Sequence, residues 1–314
     1  MDTTINYAER WMPDIIDSIN QNTLCSPFIS DNVKWLGAKN FHYTQMSVSG
    51  YKNHSRAGGW NSGVIAQEDV VYTCNHDRDI EFFIDKQDVD QSNETASMKK
   101  VSDKFENEQA APELDSLFFS KVAQKALTIS GAHSETALSD YTKNNILSKL
   151  RSFIRSGKLK LYRNKGALIM YLATDLMDLL QDCPDFNKTI NIVTIADGGV
   201  GVETRITEID KVTIIEVIDD EAFYTKFNYS SDDGGFVPSD DAKAINVLLA
   251  SPMKTSVVTT VNSIYLFGPG QHTKGDGYLY QNRANSDCFI FPNGKNNKID
   301  NIYVDVQPAE ESDP

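Results

Sequence analysis

The sequence predicts an α+β chain, on three observations. One stretch is long enough for a rod-like helix, a strand–helix unit followed by strands rich in branched residues occupies the middle of the chain, and a run of strands closes it. The rod is residues 94–128. Met98, Val101 and Phe105 recur at helical spacing among Lys99, Lys100, Asp103, Lys104, Glu106 and Glu108, so a narrow apolar stripe faces protein and the rest is solvated. At about 1.5 Å per residue the rod spans roughly 50 Å. Beyond Pro112 the apolar positions become Leu114, Leu117, Phe118 and Val122, on nearly the opposite side of the wheel. Pro112 has no amide proton for the turn before it, which predicts a bend or break there. The other reading is two helices, the second opening at Pro112 with Glu113 and Asp115 in its first turn.

Composition narrows the class. At 314 residues with 40% hydrophobic residues the chain folds and can hold two cores. Lys+Arg 30 against Asp+Glu 44 gives a net charge of −14, which repels polyanions and argues against sequence reading of nucleic acid. An acidic wall can still enclose nucleic acid without trapping it. No apolar run approaches the length of a membrane span, and Asp2, Glu9 and Asp14 stand where a signal peptide would be basic and then apolar. Cys25, Cys74, Cys183 and Cys288 form no CxxC pair, so free thiols in a reducing compartment are expected.

In chain order, residues 1–48 read as an arm: Ala8, Trp11, Ile15, Ile16 and Ile19 suit a short amphipathic helix interrupted by Pro13, and residues 39–48, with Phe41 and Tyr43 on one side, suit an extended strand. Residues 49–63, SGYKNHSRAGGWNSG, are turn-rich. They lead into two predicted strands, 64–74 and 80–85, turning near 75–79 as a two-stranded ribbon that needs another surface to lie on. After the rod, residues 136–156 predict a helix with Leu138, Tyr141, Leu147, Leu150 and Ile154 inward, ending near Gly157. A buried strand at 167–172 precedes a helix capped by Thr174 or Asp175 with Leu176, Leu179 and Leu180 inward. Strands at 190–195, 203–208 and 212–217 follow, so 130 to about 233 forms one α/β unit. Strands at 242–250, 256–267, 278–282, 288–291 and 301–306 come last, with a turn cluster at 292–298, PNGKNNK, and a loose tail at 307–314.

Several of these stretches together carry a resemblance. DRDIEFFIDKQDVDQSN followed by the helix containing APELDSLFFSKVAQKA resembles the extended loop and spine helix of tailed-phage major capsid proteins with the Hong Kong 97 phage-type fold. ALIMYLATDLMDLLQDCPDF, VETRITEIDKVTIIEVIDDEAFYTKF, AKAINVLLASPMKT and NSDCFIFPNGKNNKIDNIYVDV are similar to later parts of that family, in its order, from Asn6 to Val306. The resemblance implies an N-terminal arm (1–48), an extended β-ribbon loop (49–90), a spine helix (91–129), an axial domain (about 130–250) and peripheral-domain strands (251–306). It implies a coat protein that forms pentamers and hexamers of itself and closes an icosahedral shell in the virion, assembled in the host cytoplasm. Double-stranded DNA would be enclosed without sequence recognition, with a portal and a separate scaffolding protein as partners and no membrane. A cellular nanocompartment shell around a cargo enzyme is the alternative on the same fold. Lysine–asparagine crosslinking occurs in part of the family, but no residue pair here identifies it.

No cofactor, metal or catalytic site is predicted. Asp197-Gly198-Gly199-Val200-Gly201 follows a strand-like run, but another such run comes next where a phosphate cradle needs a helix N-terminus. Asp232 to Gly235 reads as a turn, since full calcium-ligand spacing is absent. His42, His54, His76, His133 and His272 lack metal spacing. The candidate intersubunit contacts are Trp60 with Arg56 in the glycine-rich loop, Trp11 on the arm, and Asp77 with Arg78 at the ribbon's tip, the last pair set against a plain solvated surface. Trp35 is expected to bury with the arm. A soluble α/β enzyme or ligand-binding protein using the 197–201 loop is the reading from another class.

Overall fold

The structure is a computed structural model that describes residues 23–29, 40–54, 58–91, 98–184, 206–230, 234–293 and 298–308. Strand β1 (Asn40–Val48) pairs antiparallel with β2 (Ile65–Thr73) as a separate two-stranded ribbon, from Asn40 opposite Thr73 to Val48 opposite Ile65. Strand β3 (His76–Asp85) lies elsewhere, on the edge of a three-stranded sheet. This corrects the hairpin expected from residues 64–85, and it moves 39–48 from the arm into the ribbon. The reason lies at the crossing between β2 and β3. Cys74 is buried against Phe289 and Phe291, and the Asn75 amide donates to the Asp287 carboxylate at 3.2 Å, so the chain is pinned as it passes from ribbon to sheet.

A short helix α1 (Lys86–Gln91) follows β3, and the rod runs as α2 (Met98–Phe105), a π-helical segment (Glu106–Ala110) and α3 (Ala111–Leu127) without a gap. Pro112, in the first turn of α3, cannot donate to Glu108, and the run re-phases just ahead of it: the Ala111 amide donates to the Glu106 carbonyl, five residues back. The wider turns rotate the buried face. Ser102 and Glu106 are inward on one side of the segment, while Leu117, Phe118, Phe119 and Val122 are inward on the other.

The centre is a six-stranded sheet in the order β4 (His133–Glu135), β13 (Ile302–Val306), β10 (Ile245–Ala250), β5 (Ile169–Ala173), β7 (Val212–Val217), β6 (Ile206–Ile209). β4 with β13 and β5 with β7 are parallel; the other neighbours are antiparallel. Helix α3 covers one face, where Phe118, Phe119 and Val122 meet Tyr171, Leu248 and Val304. Helices α4 (Ile146–Ile154), α5 (Leu159–Asn164) and α6 (Thr174–Gln181) cover the other, where Leu147, Leu150, Leu176 and Leu180 meet Met170, Leu172 and Leu249. Burial on both faces explains why these strands read as unbroken apolar runs. The three-stranded sheet, β11 (Thr255–Phe267), β12 (Gly277–Ile290) and β3, lies under the rod, with Phe82 against Phe105 at 5.5 Å. A small pair, β8 (Phe227–Asn228) with β9 (Val237–Pro238), sits beside α3.

Four further expectations change. The helix expected at 136–156 begins only at Ile146, because Asn145 closes a side-chain turn: it accepts from the Thr142 amide and donates to the Asp140 carbonyl. Thr174 does not cap α6; its hydroxyl donates to the Val217 carbonyl on β7. The separate strands expected at 278–282 and 288–291 are one strand, β12. The strand expected last does not join them: β13 enters the central sheet, so the PNGKNNK turn links two sheets, and β11–β12 is the hairpin. The strand expected at 190–195 lies outside the described residues.

Candidate assembly surface

The ribbon has two unlike faces, and its register makes them so. Opposed residues of an antiparallel pair share a face, so Tyr43 and Val70 point to one side and Val48 with Ile65 to the other. On the first side the base of the ribbon is fastened to the body. Tyr43 stacks on Phe291 at 4.1 Å, Tyr72 meets Phe289 and Phe291 edge-on at 5.4 and 5.3 Å, and Lys254 sits over the Tyr43 ring while donating to its hydroxyl at 3.1 Å. Aromatic pairs of this geometry contribute about 0.5–1.5 kcal/mol each beyond their buried area. On the second side Met46, Val48, Ile65 and Val71 form an apolar stripe that is 52–72% exposed.

Beyond Val48 the ladder continues into a self-held loop. The Ser49 amide donates to the Val64 carbonyl, and the Val64 amide donates to Ser49 Oγ, each at 2.9 Å. Lys52 Nζ donates to the Ser62 carbonyl and the Asn61 amide group to the Asn53 carbonyl, each at 2.9 Å. This fixes the loop's course with little packing, and it leaves Tyr51, Trp60 and Val64 in solvent, Trp60 at 100% exposure. Contiguous exposed apolar side chains of this kind are what interaction surfaces are built from, which makes this face the candidate.

Two ties, one half-buried and one buried, hold the rod to what surrounds it. Glu113 accepts from His76 Nε2 and from Arg78 Nε, each at 2.9 Å, and Arg78 also donates to the Tyr229 carbonyl and, at 3.0 Å, to the Gly235 carbonyl. Sheet, rod and the loop after β8 thus meet at one guanidinium, on the wall of a 430 Å³ cavity lined by Ile80, Phe82, Phe105 and Leu114. Higher on α3, Asp115 accepts from the Leu24 and Cys25 amides at 2.9 Å each, which fastens residues 23–29 to the helix. Burial raises the Asp115 carboxyl to about 7 against the lowering effect of those two amides. Glu106 is raised to about 7 as well, by burial and then by Asp103, and its Oε1 has no partner among the described residues.

The predicted contact residues therefore separate. Trp60 stands free at the loop. Arg78 and Asp77 find their partners within the chain: Arg78 is used as above, and Asp77 takes a bidentate pair from Arg283 at 3.0 and 2.8 Å, because β3 is the edge strand beside β12 and not a ribbon tip. Arg56, Trp11, Trp35 and the 197–201 loop lie outside the described residues. The stripe of Met46, Val48, Ile65 and Val71 was missed; its signal was present as alternation, but it becomes one face only once 40–48 is paired with 65–73. No group of three or more His, Cys, Asp or Glu side chains able to hold a metal occurs among the described residues, and no helix of them is long and apolar enough to cross a membrane. The described cysteines are all buried free thiols.

The described residues form two main sheets packed about a long helix, with a two-stranded ribbon fastened to them at its base. Solved structures with this fold match. The chain is similar to one from the mature capsid of bacteriophage PhiM1 at 13% identity, covering 86% of this chain and 82% of that one with a TM-score of 0.56. It is similar to a structure from Mycobacterium phage Bobi at 10% identity, over 93% and 91% of the two chains with a TM-score of 0.56. A capsid chain of cyanophage P-SCSP1u matches at 10% identity over 88% and 85%, with a TM-score of 0.52. No family model and no curated protein matches the sequence. The fold is thus an α+β fold shared with phage capsid chains.

Proposed function

We propose that this chain is the major capsid protein of a tailed bacteriophage, with the Hong Kong 97 phage-type fold, and that its copies assemble as pentamers and hexamers into an icosahedral shell around double-stranded DNA. The observation that carries the reading is the projecting ribbon with an exposed apolar face, on a body whose fold is shared with phage capsid chains over most of its length. In this reading residues 40–73 are the extended loop and lie on the adjacent subunit. The rod is the spine helix, the three-stranded sheet is peripheral, and the central sheet with α4–α6 is axial. β13 returns from the end of the chain to complete the axial sheet. Trp60 and the stripe around Val48 are the ribbon's contacts, with Arg56 and Trp11 as further contacts from loop and arm.

The mechanism is summation. Each ribbon–neighbour contact is heterologous, the kind of contact ring closure requires, and many weak contacts per shell replace one tight interface. A scaffolding protein and a portal are the partners during assembly, the shell is the location in the virion, and no catalytic step is assigned to the chain. The test is particle mass by light scattering with negative-stain imaging of the same sample, with the chain expressed alone and beside the scaffold gene of the same genome. Rings or closed shells support the reading, and a persistent monomer under both conditions overturns it. Particles holding a protein cargo and no nucleic acid would favour a nanocompartment instead.

A further inference from the structure

The central sheet is electrically polar along its strands. Residues 141–166 hold eight lysines and arginines and no Asp or Glu, in a chain whose net charge is −14. The topology places the later half of this run at one end of the sheet: α5 ends at Asn164, and Lys165 and Gly166 lead into the start of β5. Lys158 reaches Asp300, just before β13, at 3.5 Å, so β13 starts at that same end. Arg155, Lys160 and Lys165 are exposed and make no ion pair with any described residue. Leu161 stands among them, 54% exposed.

The other end has the opposite sign. β5 runs from that basic end into Asp175, and β7, parallel to it, runs into Ile218, Asp219, Asp220 and Glu221. These acidic residues are exposed, and Ile218 stands among them, 67% exposed. Asp175 and Asp219 both push the Asp220 carboxyl upward, after burial, so this end repels itself in the isolated chain. Strands of five and six residues separate the two ends by about 17–20 Å.

We propose that the two ends of the central sheet are the complementary halves of a head-to-tail contact between copies of this chain: the basic end around Leu161 of one copy meets the acidic end around Ile218 of the next. Each end has an apolar centre with a charged surround, the usual anatomy of a specific interface. Like ends repel, so isologous pairing of like ends is disfavoured, and unlike ends on one unit generate a head-to-tail series, which closes into a ring where the rotation per copy closes. The proposal rests on the capsid reading for the number of copies in that ring.

The test is charge reversal with restoration. One variant carries K158E, K160E and K165E; a second carries D175K, D219K and D220K; a third carries all six. Self-association is measured by sedimentation velocity, with circular dichroism melts to confirm that each variant folds. Each three-fold reversal weakens association by about tenfold or more, and the six-fold variant, complementary again, recovers most of it. Raising salt from about 0.05 to 0.5 M weakens the unmodified chain and the six-fold variant alike. Folded reversal variants that associate like the unmodified chain overturn the proposal, and so does a folded six-fold variant that stays dissociated. A K158E/K160E/K165E variant that assembles normally but loses affinity for a short DNA duplex makes the basic end a nucleic-acid surface, and also overturns it. Association through these ends into open chains that close neither rings nor shells, alone or beside the scaffold, keeps this contact and defeats the capsid reading, while shells indifferent to the reversals do the opposite.

Discussion

Glu106 is an acid that the rod buries with Oε1 unpartnered among the described residues, and Glu106→Gln exposes what that costs. The side chain is 1% exposed, its Oε1 has no partner among the described residues, and its carboxyl is raised from an ordinary 4.5 to about 7. The folded chain therefore keeps this proton up to about pH 7, while the unfolded chain releases it near 4.5. Between those values the folded state binds more protons, so stability falls as pH rises and levels off above the folded value. A rise of that size costs the ionised protein about 3 kcal/mol as a ceiling. Glutamine has the same shape and no charge, so the substitution is within about 0.5 kcal/mol of neutral near pH 4. At about pH 8 it stabilises by up to about 3 kcal/mol, or about 6 °C in Tm. The assay is urea denaturation of the unassembled chain at a series of pH values, since subunit contacts would otherwise add to the measured stability. Asp115, also raised to about 7, leaves a residual slope in the variant. A difference between variant and parent that is independent of pH, or a loss of stability at pH 8, refutes the reasoning.

Other substitutions test the ties separately. Arg78→Ala removes the hydrogen bonds to Glu113, Tyr229 and Gly235 and leaves Glu113 to His76 alone; the expected loss is about 2–3 kcal/mol in denaturant midpoints. Tyr141→Phe takes one donor from the fully buried Asp305, which also accepts from Ser134, Thr136 and Asn246, and should cost about 1.5–3 kcal/mol by the same measurement. Met46→Asp with Val48→Asp leaves the melting temperature of the unassembled chain within about 1 °C, because both side chains are in solvent, yet should abolish rings and shells in negative stain. Tyr43→Ala removes the stacked contact with Phe291 and loosens the ribbon's base, read as faster amide exchange over residues 40–48 with the central sheet unchanged.

Local pattern showed more of this fold than long-range pairing did. The apolar face past Pro112, the buried strands at 169–173 and 212–217, and the helix ending by Gly157 are properties of neighbouring residues, and periodicity reads them directly, whereas Glu106, read as solvated, is buried ahead of the π-helical turn's end. What β2 pairs with is decided by residues far away in sequence: Asp287 holds Asn75 across an interval of 212 residues, and Phe289 and Phe291 bury Cys74. A sequence in which β2 and β3 stand two residues apart favours a hairpin on local grounds, and only the distant anchor sends them to different sheets. The same limit hid the partners of Asp77 and Arg78. As polar residues at a presumed turn they read as outward contacts, yet their partners Arg283, Glu113 and Gly235 come from three other elements.

The exposed apolar face of the ribbon was half legible for a related reason. Trp60 is conspicuous by type, so composition finds it. Met46, Val48, Ile65 and Val71 are ordinary strand residues that become a surface only through register, since a shift of one position would turn them against Tyr43's side. The aromatic base therefore does two things at once. By seating Tyr43 and Tyr72 on Phe289 and Phe291 it decides which face of the ribbon is spent on the body, and so which face is left for a neighbour. A ribbon fastened at its base also presents that face with less orientational freedom to lose on docking, which under the proposed capsid role is where a shell of many weak contacts would gain most.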